Sequence, residues 1–180
     1  MVNRIYCATQ DGLNSKIIEV EATFTRGLPT FNITGLASSS IKESQHRVTS
    51  ALANLSIDFP PLKLTINLSP SDLPKNGSHF DLPIALLIAA SKESIVLDTW
   101  FAFGELGLSG VIKNVPLIYP MLLDISLQKP NAKVILPSEA RVLYSKIPNL
   151  SMYFANDILE ALEILRGNIA QADTSSDFEF

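Results

Sequence analysis

Within residues 16–25 the chain alternates from Ile18 onward, with Ile18, Val20, Ala22 and Phe24 apolar and Glu19, Glu21 and Thr23 polar. A period of two predicts a strand with one buried face. Shorter runs at 4–9 and 30–35, and the alternating Leu64, Ile66 and Leu68 of 63–69, predict three more strands. The stretch QDGLNS between the first two has the glycine and short polar side chains of a hairpin turn. From Ser40 the period lengthens. Ile41, Val48, Ala51, Leu52 and Leu55 fall on one helical face, with Lys42, Glu43, His46 and Arg47 mostly on the other. Glu43 three residues after Ser40 predicts a capping box at the start of that helix. Residues 82–90 are apolar nearly all round, so a helix over about 81–93 belongs at the centre of the core. Asp81 suits its N-cap, and Pro83 is tolerated in its first turn.

The second half reads as a strand and turn at 100–110, a helix at 117–128 despite Pro120, and a strand at 133–137. A helix capped by Ser138, a strand at 151–155 and a helix capped by Asn156 or Asp157 follow. Hairpins come early and β-α units late, which predicts an α+β fold with a mixed sheet and packed helices rather than a doubly wound one. One domain is expected over 1–167, with 168–180, NIAQADTSSDFEF, a linker or tail without periodicity.

Composition narrows the function classes. A net charge of −4 gives no general attraction to nucleic acid or anionic lipid, so any DNA contact needs a local basic cluster. One cysteine, Cys7, excludes an intrachain disulfide, and with two histidines it argues against a zinc site. The clean apolar run from Leu82 to Ala90 falls well short of the ~20 residues that span a bilayer. With no signal-peptide pattern at the start, a soluble, cytoplasmic chain without a membrane partner is expected.

The chemistry-bearing stretch is SPSDLPKNGSHFDLPIALLIAAS, 69–91, where Asp72, Lys75, Ser78 and His79 run into the helix that Asp81 opens. Taken alone, Asp72 reads as a turn-former, His79 as solvated or turn-stabilising, His46 as solvated on its helix face, and Glu105 as satisfying donors near a buried turn. Together with GLPTFNITGLASSSIKESQHRVTSALANLSIDFP and FAFGELGLSGVIKNV, this stretch resembles the N-terminal domain of the ComM/YifB family of bacterial AAA+ ATPases, also called Mg-chelatase-like proteins. The residues that carry the resemblance are Asn67, Leu68, Pro70, Asp72, Leu73, Pro74, Lys75, Gly77 and Asp81 to Ala85. Lys42, Glu43, Arg47, Val48 and Gly104 to Leu108 add to it.

The resemblance implies a Lon-protease-domain-like fold, in the class shared with a small-subunit ribosomal protein. In Lon the equivalent loop precedes a nucleophilic serine served by a lysine on a later helix. Aligned without gaps, those two positions hold His79 and Tyr119 here, and no lysine lies between Lys113 and Lys129 to activate the neighbouring Ser78. A non-catalytic domain is therefore expected, with a cryptic serine hydrolase the disfavoured alternative. No Gly-Lys dipeptide occurs, so no phosphate-cradling loop is present. The resemblance assigns ATP and Mg2+ to an AAA+ domain further along the same polypeptide. The closing Asp-Phe resembles the opening of that segment, and the chain is expected to stop in the interdomain linker. It further implies a homo-hexameric DNA motor for branch migration in natural transformation, with this domain assembling the ring or guiding DNA. Lys42, Arg47 and Lys75 are the candidate residues for weak DNA or partner contact. A protein-interaction domain that docks a regulatory partner without touching DNA is the alternative.

Overall fold

The computed structural model describes residues 2–172. The alternating segments form a hairpin of β1 (Val2–Asp11) and β2 (Asn14–Thr25), closed by Gly12 and Leu13. Gly12 has φ +62, the left-handed value that a two-residue hairpin turn needs. Then come β3 (Thr30–Thr34), α1 (Ser39–Lys42), α2 (Ser44–Asn54), β4 (Lys63–Ser69), α3 (Asp81–Ala89) and β5 (Trp100–Ala102). The small hairpin β6 (Glu105–Leu106) and β7 (Ile112–Lys113) is followed by α4 (Ile118–Gln128), β8 (Ala132–Pro137), α5 (Arg141–Tyr144), β9 (Leu150–Ala155) and α6 (Ile158–Leu165).

The fold is α+β, with a mixed seven-stranded sheet in the order β3-β4-β2-β1-β5-β8-β9. β2 runs antiparallel to β1 and β4, and every other pairing is parallel. β1, β5, β8 and β9 therefore begin at one end of the sheet and finish at the other. Trp100 and Phe101, adjacent in β5, point to opposite faces. The end of α6 lies beside Trp100 and the end of α4 beside Phe101, so the sheet carries helices on both sides.

As the all-round apolar pattern predicts, every residue of α3 from Leu82 to Ile88 is buried, and the helix packs against β1, β2, α2 and α6. It ends at Ala89, earlier than the predicted 93. The helix predicted from Ser40 breaks at Glu43 into α1 and α2, and neither piece has a side-chain cap. The capping box fails because the Ser40 hydroxyl is used elsewhere, by Asn76 and Gly77. The segment after Ser138 yields only a 3-10 turn and the short α5, without a Ser138 cap. Asp157 does cap α6, accepting from Glu160 N at 2.8 Å while the Glu160 carboxylate accepts from Asn156 N at 2.8 Å. Beyond α6 the chain stays on the body, with Ala172 N donating to Met152 O at 2.9 Å. Residues 173–180 of the predicted linker lie outside the described residues. Among the described residues, no helix is long and apolar enough to cross a membrane.

Candidate functional site: a polar loop turned inward

The loop 70–80 leaves β4 where the parallel strands finish and doubles back under the segment 35–40. Lys75 N donates to Leu36 O and Lys75 O accepts from Ser38 N, each at 3.1 Å. The Lys75 side chain is 1% exposed. Its ammonium donates to Gly35 O at 2.7 Å, to Leu68 O at 2.9 Å and to Pro70 O. An ammonium has three N–H donors, so this cage satisfies it completely. Burial lowers the Lys75 pKa, and Asp72 partly offsets that shift. Asn76 accepts from the hydroxyls of Ser38 and Ser40, both at 3.0 Å, and closes the loop from outside.

Asp81 is the second anchor, and it is not an N-cap. Its backbone is already helical, and its carboxylate, 0% exposed, turns away from the helix axis. Arg47 grips it with two bonds, Nε to Oδ2 at 2.6 Å and Nη2 to Oδ1 at 3.0 Å. Ser44 donates its hydroxyl to Oδ1, and Leu106 N donates to Oδ2 at 3.0 Å. Burial raises the Asp81 pKa, and the donors pull part of that back; the bond to Asp81 raises that of Arg47. One carboxylate thus ties α2, α3 and β6 together. Paired fork geometry of this kind is the strong form of a charge-assisted bond.

His79 is also a correction to the sequence reading. It is 0% exposed, its ring lying against Phe80 at 4.6 Å and Phe103 at 6.1 Å between centroids. Nε2 lies 2.7 Å from Ala8 O, and Nδ1 has no partner, which assigns the neutral tautomer with the proton on Nε2. Burial pushes the pKa down to about 4. Gly77 makes room for the ring: at φ +112, a Cβ there would stand 2.5 Å from His79 Nδ1. Ser78 donates to the Glu105 carboxylate at 2.5 Å, so Glu105 serves a side-chain hydroxyl rather than backbone donors. Tyr119 stacks on Tyr144 at 6.2 Å, while His79 packs between Phe80 and Phe103.

The three candidate contact residues divide. Lys42 is exposed at the end of α1. Arg47 is 21% exposed, with Nη1 3.7 Å from Glu43 and the rest of the guanidinium on Asp81 and Ser40 O. Lys75 is inside. The structure brings the loop residues into one region, but two of the three basic groups point into the fold. Sequence reasoning missed Ser44 and the carbonyl cage. A signal for the first was available, because a helix apolar on every side leaves Asp81 no wet face and obliges it to find a buried partner. Ser40, Ser44 and Arg47 stand at helical spacing on one stripe that meets it. The cage had no signal, since any residue supplies a carbonyl.

Cys7 is buried in the core, with its thiol pKa raised by that burial. Among the described residues, no group of three or more His, Cys, Asp or Glu side chains could hold a metal ion. Two sizeable cavities open away from the loop, where β5 and β8 begin. One of about 890 Å³ lies beside Trp100, Tyr153 and the end of α6, and one of about 740 Å³ beside Tyr6, Phe101 and the end of α4.

Residues 20–140 match the family described as subunit ChlI of Mg-chelatase. The competence protein ComM of Haemophilus influenzae is 32% identical over 166 residues, covering 91% of this chain and 32% of the relative. The uncharacterized protein YifB of Escherichia coli is 42% identical over 108 residues, covering 58% of this chain and 21% of the relative. An uncharacterized protein of Mycobacterium tuberculosis is 33% identical over 125 residues, covering 68% and 25%. The chain thus spans a third or less of the length of these relatives.

Proposed function

The chain belongs to the family of the ChlI subunit of Mg-chelatase, alongside ComM and YifB, and on that premise we propose that it is the non-catalytic, Lon-protease-like module of a ComM-type AAA+ ATPase. The observation that carries this reading is the inward commitment of the loop that would otherwise do chemistry. Lys75 is consumed by three carbonyls, His79 is buried and neutral, and Ser78 is bonded to a carboxylate. A serine nucleophile needs an adjacent base and an open face for its substrate. Here the groups are spent on holding β4, α2 and α3 in place, which suits a rigid module. The sequence has no Gly-Lys dipeptide, so ATP and Mg2+ do not fit this chain. They are assigned to an AAA+ domain elsewhere on the polypeptide, and saturable ATP binding by the chain itself would contradict that assignment.

Within a cytoplasmic homo-hexamer, the module would assemble the ring or guide DNA for branch migration, the activity proposed for the whole motor. Lys42 and the outward edge of Arg47 are the open part of the proposed DNA contact, and Lys75 serves it only by shaping the loop. That division favours a second reading, a domain that docks a regulatory protein without touching DNA. Titration of the whole hexameric protein on single-stranded and branched DNA at two salt concentrations separates the two. DNA guidance through this module predicts affinity that falls with salt and a shallower slope in a Lys42→Ala variant. Identical affinity and slope in wild type and variant support the docking reading.

A further inference from the structure

We propose that the cavity of about 890 Å³ beside Trp100 binds a small organic anion, a single acid group carried on a flat apolar body. The site is separate from the polar loop and independent of the motor reading. Strand register builds its floor. Trp100 pairs with Lys133 and Ile135 with Tyr153, and residues two apart on a strand share a face. Trp100, Lys133 and Tyr153 therefore stand together on the face that carries α6. The Tyr153 ring meets the indole edge-on, with centroids 4.9 Å apart and planes at 67°. Ile95, Val96, Ile164 and Ile169 complete an apolar lining. A hollow of this size, mostly apolar with a few polar groups, is the usual form of a small-molecule site.

Two cations line the cavity, Lys133 and Arg166, and they are not equivalent. Arg166 is spent. Its Nε and Nη2 donate to the Glu93 carboxylate at 2.9 and 2.5 Å, and its Nη1 donates to Glu163 at 2.5 Å. Lys133 is held differently, with its ammonium 4.6 Å from the centroid of the Trp100 ring. Among the described residues, no carboxylate lies within ion-pair distance of it. A ring face attracts a cation without carrying a net charge, so the indole positions the ammonium and leaves its charge uncancelled. The N–H donors of that ammonium suit an incoming acid group. One uncancelled cation selects one anionic group, and the apolar lining with its aromatic floor selects a flat hydrocarbon body. A nucleic-acid strand would need a row of cations following its backbone, and the cavity offers one.

Trp100 is the single tryptophan of the chain, so energy transfer from it reports a fluorescent ligand bound nearby. Anilinonaphthalenesulfonate supplies an acid group on a flat body, and N-phenylnaphthylamine supplies the same rings without the acid. The chain should bind the sulfonate with quenching of Trp100, and naphthoate should displace it. Lys133→Met should weaken sulfonate binding at least about tenfold, the loss of one charge-assisted contact, while Lys133→Arg should stay within about threefold of wild type. The neutral compound should bind wild type and Lys133→Met alike. Val96 lines the same cavity and is 67% exposed, so Val96→Asp leaves the core intact. Its added carboxylate should weaken sulfonate binding as well. Equal losses of the charged and the neutral compound in Lys133→Met would mean that the cavity does not select an anion. Full sulfonate affinity in Val96→Asp would place the binding elsewhere. Either result overturns the proposal, as does an absence of quenching at millimolar sulfonate.

Discussion

The loop 70–80 and the helix that follows it reach the same depth by different physical means. Leu82 to Ile88 are buried because they are apolar, and the area they remove from water does the stabilising. Lys75, His79 and the adjoining Asp81 are as deeply buried although they are polar. Each would be costly there without a partner. The helix tolerates exchange of one apolar side chain for another of similar size, because its contribution is spread over many contacts. The loop does not, because each group is held by named donors and acceptors that no other side chain reproduces. A stretch that looks like an approach to catalysis is, on this comparison, a second core made of hydrogen bonds.

The largest effect should come from breaking the ion pair on its exposed side. Arg47→Met leaves a fully buried Asp81 carboxylate with only Ser44 and Leu106 N, and should cost about 3–5 kcal/mol in denaturant unfolding. The double variant Arg47→Met, Asp81→Leu should regain most of that loss, since replacing both members of a buried pair by apolar groups is often close to neutral. Additive losses would mean the pair contributes nothing as a pair. In the helix, Leu86→Ala should cost about 2–4 kcal/mol through lost burial and a residual cavity, while Leu86→Met should cost less than about 1.5 kcal/mol. Unchanged unfolding midpoints for Leu86→Ala would remove α3 from the core.

A pH titration tests the loop without changing its shape. His79 titrates near 6.5 in the unfolded chain and is pushed down to about 4 when folded. Between those values the unfolded state binds the proton and the folded state does not. Stability therefore falls as pH drops across that window and is unaffected by this group above it. The full difference is about 3 kcal/mol by pH 4. His79→Phe should flatten that part of the pH–stability curve relative to wild type. The smallest effect is expected at Lys42, where Lys42→Ala should change stability by less than about 0.5 kcal/mol. A larger loss there would mean that the charge is holding structure, as at Lys75.

The sheet was legible because alternation over 16–25 and 63–69 reports a half-buried strand directly, and both predicted spans agree closely with the observed ones. The all-round apolar pattern located α3 for the same reason. The helix predicted from Ser40 failed at its start because local capping chemistry was outcompeted by a tertiary partner, Asn76, remote in sequence. The polar loop was misread for a related reason. Lys75 and His79 have the residue types of a surface or an active site, and only the positions of Leu68 O and Ala8 O reveal them as interior groups. Polarity along a chain reports burial only where the partners are local.

The claim that the loop is architecture rather than chemistry is tested most directly by the reactivity of Ser78. The whole chain would be treated with a fluorophosphonate serine probe at neutral pH, and the modified residue identified by peptide mass spectrometry. With its hydroxyl bonded to Glu105, and with Lys75 and His79 of the same loop buried and held by carbonyls, Ser78 should stay unlabelled, and peptide hydrolysis should be at background. Stoichiometric labelling at Ser78, lost in Ser78→Ala along with a measurable hydrolase activity, would contradict the account.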